Sequence, residues 1–133
     1  MKVVFDTNIL ISARLSMLGN PFKCLALAKV GVFESVTCRE IIEEFEEKLR
    51  TKFDYPVGEA RRSAEEIEKI SHQVLLTRTL KVIEADPEDD MVLECAVIGG
   101  ADYVVSGDRH LLDFGKFRNI EIIRAADFLT RIT

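Results

Sequence analysis

Asp6 directly follows Val3, Val4 and Phe5, an apolar run of the kind that forms a strand buried on both faces. Asp108 stands in a matching place, after the run YVVS in SGDRHLL. Between them, the segment DPEDDMVLECA carries Asp86, Asp89 and Asp90, and the helix-period stretch CREIIEEFEEKLRT carries Glu44 and Glu46. Carboxylates from separate segments gathered in one apolar crevice repel each other and bind protons unless a cation compensates them. With no C-x-x-C pair and no His and Cys cluster nearby, the donors are oxygens, which suit a hard cation, Mg²⁺ or Mn²⁺, that takes its remaining ligands from water and substrate phosphates. Such a cation activates a water and neutralises the charge that develops at phosphorus during phosphodiester hydrolysis.

Each acid also has a plainer reading. An Asp after a strand can serve as a helix cap, with Thr7 and Asn8 able to bond the first free N–H groups of a helix beginning at Ile9. Asp86 and Pro87 read as N-cap and first-turn proline, which places Asp89 and Asp90 in a first turn where the helix dipole favours them. The dipole does not explain both. Asp90 shares a stripe with Leu93 and Val97, and Asp89 with Leu93 and Ala96, so at least one must face the interior. In CREIIEEFEEKLRT the apolar stripe is Ile41, Ile42, Phe45 and Leu49, which puts Glu43 and Glu47 in solvent and Glu44 and Glu46 at opposite borders. Periodicity does not choose between Glu44 and Glu46.

These side chains need a frame that brings four segments together. Short apolar runs (KVVF, VFESV, LKVIE, DYVVS and IEII) alternate with stretches of helical period at 8–14, 21–30, 38–51, 58–74, 87–99 and 125–131. That alternation predicts an α/β fold, three-layer α/β/α around a small, mostly parallel central sheet, over a single domain spanning 1–133. In such sheets functional groups collect at the carboxyl ends of the strands, so Asp6 and Asp108 meet if their strands are neighbours. The stretch after Tyr55 is the most polar helix and is expected to be outermost, with His72 on its surface. His110, two residues beyond Asp108, is near enough to touch a phosphate, although no general base is required where a metal makes the hydroxide.

Composition narrows the classes. No apolar run approaches the ~20 residues of a membrane span and the N-terminus lacks a signal-peptide pattern, so the expected location is cytoplasmic, with no membrane partner. Cys24, Cys38 and Cys95 are odd in number and widely spaced, which reads as three small core residues. A net charge of -5 argues against gripping nucleic acid by bulk positive potential, but leaves open a site where metal ions supply the positive charge.

In order along the chain, VVFDTNIL, EIIEEF, DPEDDMVLECA and GADYVVSGDRHLL resemble the PIN-domain family, in particular its VapC-like branch of toxin components from toxin–antitoxin pairs. The ordered set D-T-N, D-P-x-D-D and S-G-D-x-x-L-L carries the resemblance, which runs from Val3 to Leu129. It implies a metal-dependent endoribonuclease that hydrolyses RNA phosphodiester bonds, acting as the toxin of a type II pair. Asp6 would be the first metal ligand, with Thr7 and Asn8 shaping the pocket, and Glu44, directly before Phe45, matches the family's helix acid better than Glu46. Asp108 matches the acid after the fourth strand, and Ser106 stands where the family has Thr or Ser. Asp89 or Asp90 would supply the remaining ligand; both stay candidates, and Asp86 is a cap or a more distant support.

Arg14 and Arg109 are the first candidates for guiding RNA phosphates, ahead of Lys48, Arg50, Lys52 and Lys116. The resemblance also implies a small antitoxin that fills the acidic cleft and a homodimer, for which Met17, Leu18 and Phe22 offer apolar surface. The competing expectations are a catalytically inactive acidic module that binds metal or a phospho-ligand, and a purely structural partner domain. The second would leave four acids in unrelieved repulsion.

Overall fold

A computed structural model describes residues 1–80 and 87–132. Six strands form one sheet in the order β3-β2-β1-β4-β6-β5, with β1 (Lys2–Phe5), β2 (Glu34–Cys38), β3 (Ser71–Val74), β4 (Tyr103–Val105) and β6 (Ile120–Ile123) parallel and the short β5 (Lys116–Phe117) antiparallel at one edge. The helices α1 (Thr7–Leu15), α2 (Asn20–Lys29), α3 (Arg39–Thr51), α4 (Val57–Lys69), α5 (Pro87–Ile98), α6 (Arg109–Phe114) and α7 (Ala125–Ile132) flank it. The expected α/β architecture with a mostly parallel central sheet is therefore the one observed.

Central strands are apolar on both faces because both are covered. Val3, Val4, Val36, Val104 and Val105 are fully buried, as parallel strands under helices require. On one side Phe33 meets Phe5 and Phe128 at ring-centroid distances of 6.0 and 5.1 Å, and Phe128 also meets Tyr103 at 5.4 Å. This aromatic row fastens α7 to the strands that carry the site. The three cysteines are buried and free, as expected of core residues.

Two expectations fail at one place. The helical period read over 58–74 ends at Lys69, and 71–74 form β3, so His72 is exposed on an edge strand and not on a helix. Ser71 lies opposite Ser35 with their hydroxyls 2.8 Å apart. SHQV has no apolar alternation because an edge strand here has little to bury, so strand pairing decides its state and periodicity carries no signal. The strand read in VFESV is shifted to Glu34–Cys38, and α6 and β5 were not expected at all. The strand read in LKVIE and the cap at Asp86 lie outside the described residues, apart from Leu80, which is in no strand.

The end of α5 is tight. A Cβ on Gly99 would lie 2.5 Å from Cγ1 of Val36 and 3.0 Å from the Cys95 carbonyl, and Gly100 has φ +65°. Glycine at both positions lets α5 come close to β2 and then reverse into β4. Gly99→Ala is expected to cost about 1–3 kcal/mol by overpacking, read as a lower midpoint in urea unfolding with an unchanged slope. A wild-type midpoint would contradict the close approach.

Candidate metal centre

The strands β1 and β4 are parallel neighbours, with Phe5 paired to Val105, so the chain leaves both at the same edge. Asp6 and Asp108 follow those strands and meet across Ser106. The Ser106 hydroxyl donates to Asp6 Oδ2 at 2.7 Å and accepts from the Asp108 backbone N–H at 2.9 Å. Asp6 is the N-cap residue of α1, but its side chain makes no cap hydrogen bond; its backbone carbonyl receives the N–H of Ile9 and Leu10 instead. The carboxylate is thereby turned toward β4.

Asp6 is 7% exposed, and burial is the main force pushing its carboxyl above the usual range. Hydrogen bonds from Ser106 and the Thr7 backbone oppose the shift, and the negative charges of Asp108 and Glu44 add to it. A buried carboxylate facing two others is the electrostatic situation that a divalent cation relieves. Ser106 is fully buried, and its loss would remove the side-chain link between the two acids' loops, leaving the backbone bond from the Asp6 N–H to the Val105 carbonyl at 3.0 Å. Ser106→Ala is expected to lower stability by about 1–3 kcal/mol and to weaken divalent-ion binding, measurable by thermal unfolding and calorimetry on the same sample.

Glu44 lies at the border of the apolar stripe of α3, and Glu46 at the other border pairs with Arg61 of α4 at 2.9 Å. The choice that periodicity left open is thus made by packing: Glu46 serves the α3–α4 contact, and Glu44 is the one whose charge Asp6 feels. Lys48, one turn on, pairs with Glu44 at 3.0 Å and donates to Asn8 Oδ1 at 3.4 Å. Asn8 therefore holds a lysine and does not cap α1. Thr7 is buried, and its hydroxyl is one of the few buried side-chain polar atoms among the described residues without a hydrogen-bond partner.

Of the adjacent pair, Asp89 is 4% and Asp90 9% exposed, so both face inward. One atom each from Asp89, Asp108 and His110 lie within 4.8 Å of one another, the only such group of potential metal ligands among the described residues. Asp90 is outside it. The group contains an imidazole where only oxygens were expected. Arg14 is not turned to the acids: its Nε donates to the Ser63 hydroxyl at 2.9 Å and its guanidinium stacks over Tyr55, which ties α1 to α4. Arg109 is exposed beside Asp108.

One carboxylate went unnoticed in the sequence. Glu94 is 4% exposed on α5 and accepts hydrogen bonds from the backbone N–H groups of Thr77, Arg78 and Thr79 and from the Thr77 hydroxyl, at 2.6–3.4 Å. Burial acts against its charge, but the Thr77 hydroxyl and these amides outweigh it and hold the carboxyl below the usual range. Arg78 has φ +63°, so its N–H turns inward with those of its neighbours. Glu94 thus pins the segment after β3 to the helix that bears Asp89. A Glu inside an otherwise apolar helix was the available signal.

The donor set fits a divalent cation: two carboxylates and an imidazole in one group, with Asp6 and Glu44 beside it as further anionic oxygens. No helix among the described residues is long and apolar enough to cross a membrane. A comparison with curated proteins finds no relative. The family profile described as PIN domain matches residues 2–110, a span that takes in every acid of this edge, and the chain belongs to the PIN-domain family.

Proposed function

We propose that the protein is a divalent-metal-dependent endoribonuclease and the toxin of a type II toxin–antitoxin pair, with 1–133 acting as one catalytic domain. PIN domains are generally nucleases that use divalent metals, which supports the broad class. The observation that carries the reading is the buried, mutually repelling Asp6 placed beside the Asp89, Asp108 and His110 group. Asp6, Glu44, Asp89 and Asp108 would hold Mg²⁺ or Mn²⁺, with Asp89 preferred to Asp90 because it shares a group with Asp108. When bound, the metal would supply a hydroxide nucleophile and stabilise charge at phosphorus. Ser106 keeps Asp6 and the Asp108 loop in register, and exposed Arg109 offers a positive charge to the RNA backbone.

An antitoxin would act by covering the acidic crevice, and exposed Met17 and Leu18, 74% and 90% accessible, would serve the homodimer. A monomeric mass at micromolar concentration would rule out the dimer. The activity is tested by incubating the purified protein with structured RNA and Mg²⁺ or Mn²⁺. Cleavage abolished by EDTA and restored by added metal supports the reading, and EDTA-resistant or absent cleavage opposes it. A second reading, an inactive module that binds metal or a phospho-ligand, draws on Lys48, whose ammonium already neutralises Glu44. Metal binding without cleavage would favour it.

A further inference from the structure

We propose that His110 is itself a metal ligand, and that its imidazole makes the centre prefer a first-row transition ion, Mn²⁺ among those at hand, to Mg²⁺. The inference rests on the reading that Asp89 and Asp108, with Asp6 and Glu44, hold a metal, and goes beyond it in naming a nitrogen ligand and its consequence for metal choice.

The chain fixes His110 with respect to Asp108 through short local bonds. Asp108 caps α6, and its Oδ1 accepts the backbone N–H of His110 at 2.8 Å and of Leu111 at 3.3 Å. That cap commits one carboxylate oxygen and leaves the other for a cation. It also places the His110 ring on the same side as the carboxylate, with Nδ1 3.8 Å from Asp108 Oδ1. This separation is too long for a hydrogen bond, so the ring is not held by the carboxylate directly. Nor is it buried in the core: the side chain is 67% exposed. Asp89 reaches the same point from the first turn of α5, itself held by packing at 4% exposure.

Size agrees. Bonds of about 2.1 Å to oxygen or nitrogen put neighbouring ligands about 3 Å and opposite ligands about 4.2 Å apart. Ligand atoms within 4.8 Å therefore need only a small inward movement to share one ion, which the exposed ring can supply. The chemistry then selects. Mg²⁺ takes oxygen ligands and keeps its waters, whereas an imidazole nitrogen adds affinity for transition ions in the Irving–Williams order.

The test titrates wild type, His110→Ala and Asp108→Asn with Mn²⁺ and with Mg²⁺ by calorimetry, and records the electron-spin-echo spectrum of bound Mn²⁺. Wild type is expected to bind Mn²⁺ more tightly than Mg²⁺ and to show ¹⁴N coupling. The chain has only two histidines, and the other, His72, lies on the exposed edge strand, so loss of the coupling in His110→Ala assigns the nitrogen. His110→Ala should lose at least about tenfold in Mn²⁺ affinity while Mg²⁺ affinity stays near wild type. Mn²⁺ binding that depends on Asp108 but shows no nitrogen coupling, or that is unchanged in His110→Ala, overturns the role of His110 and leaves the metal centre standing. No binding of either ion by wild type overturns both.

Discussion

Asp6→Asn and Asp108→Asn are each expected to reduce metal-dependent RNA cleavage by at least about a hundredfold, roughly 2.7 kcal/mol of barrier, while the fold persists. The two variants separate site from scaffold because amide and carboxylate have nearly the same shape. An Asn at position 6 still offers an oxygen to the Ser106 hydroxyl that now donates at 2.7 Å, so the register between the two loops is kept. What disappears is the charge. Since the folded state raises the Asp6 pKa above 3.8, it retains a proton that the unfolded chain has lost. The stability contribution of Asp6 is thus complete below the unfolded value and is lost as pH rises through the folded one. At neutral pH and without metal, ionised Asp6 destabilises the protein, and Asp6→Asn should melt at or above the wild-type temperature. Added Mn²⁺ should reverse the order, stabilising wild type and leaving the variant nearly unmoved. Undiminished cleavage in both variants, measured with Mn²⁺ present and against an EDTA control, would remove these residues from the reaction.

The second large effect is structural. Glu94→Ala is expected to cost about 2–4 kcal/mol, because it strips the acceptor from three backbone N–H groups and the Thr77 hydroxyl at once. Water can reach part of the segment, since Thr77, Arg78 and Thr79 are exposed, which keeps the cost below the sum of the separate bonds. The acid side gives an independent check of opposite sign to Asp6. The Glu94 pKa is depressed in the folded state, so its contribution is present above the ordinary carboxylate value of 4.5 and is lost as pH falls through the lower folded value. Wild type should therefore lose more stability than Glu94→Gln between neutral pH and pH 3. Urea midpoints across that range decide the matter, and parallel curves for the two proteins would mean that the carboxylate charge is not what holds the segment. Because Asp89 and Glu94 share α5, the variant should also weaken divalent-ion binding, though less than Asp108→Asn does.

Strand and helix order along much of the chain, and the acids at the ends of β1 and β4, were legible because they depend on local pattern. Short, mostly apolar runs such as KVVF and IEII, each with three apolar residues, carry the burial signal of covered strands, and α3 writes its core face in Ile41, Ile42, Phe45 and Leu49. The motif order around Asp6, Glu44, Asp89, Asp90 and Asp108 carried the family resemblance, which the match over residues 2–110 supports. The sequence by itself thus determined the fold class and the family, since repeating local choices and ordered motifs are one-dimensional information.

Only the tertiary structure decided what depends on contacts between segments. The edge strand β3 follows from pairing with Ser35 to Cys38, which no period in SHQV announces. Glu46 is taken up by Arg61 from another helix, whereas Glu44 comes within range of Asp6. Arg14 is engaged by Ser63, 49 positions away. Asp89 rather than Asp90 joins Asp108 and His110 because one residue on a helix turns a side chain by about 100°, and only the packing of α5 on the sheet fixes which of two adjacent carboxylates faces the crevice. Glu94 took on its role for the same reason: its partners lie 15 to 17 residues back, on a turn whose inward amides exist only once the chain has folded.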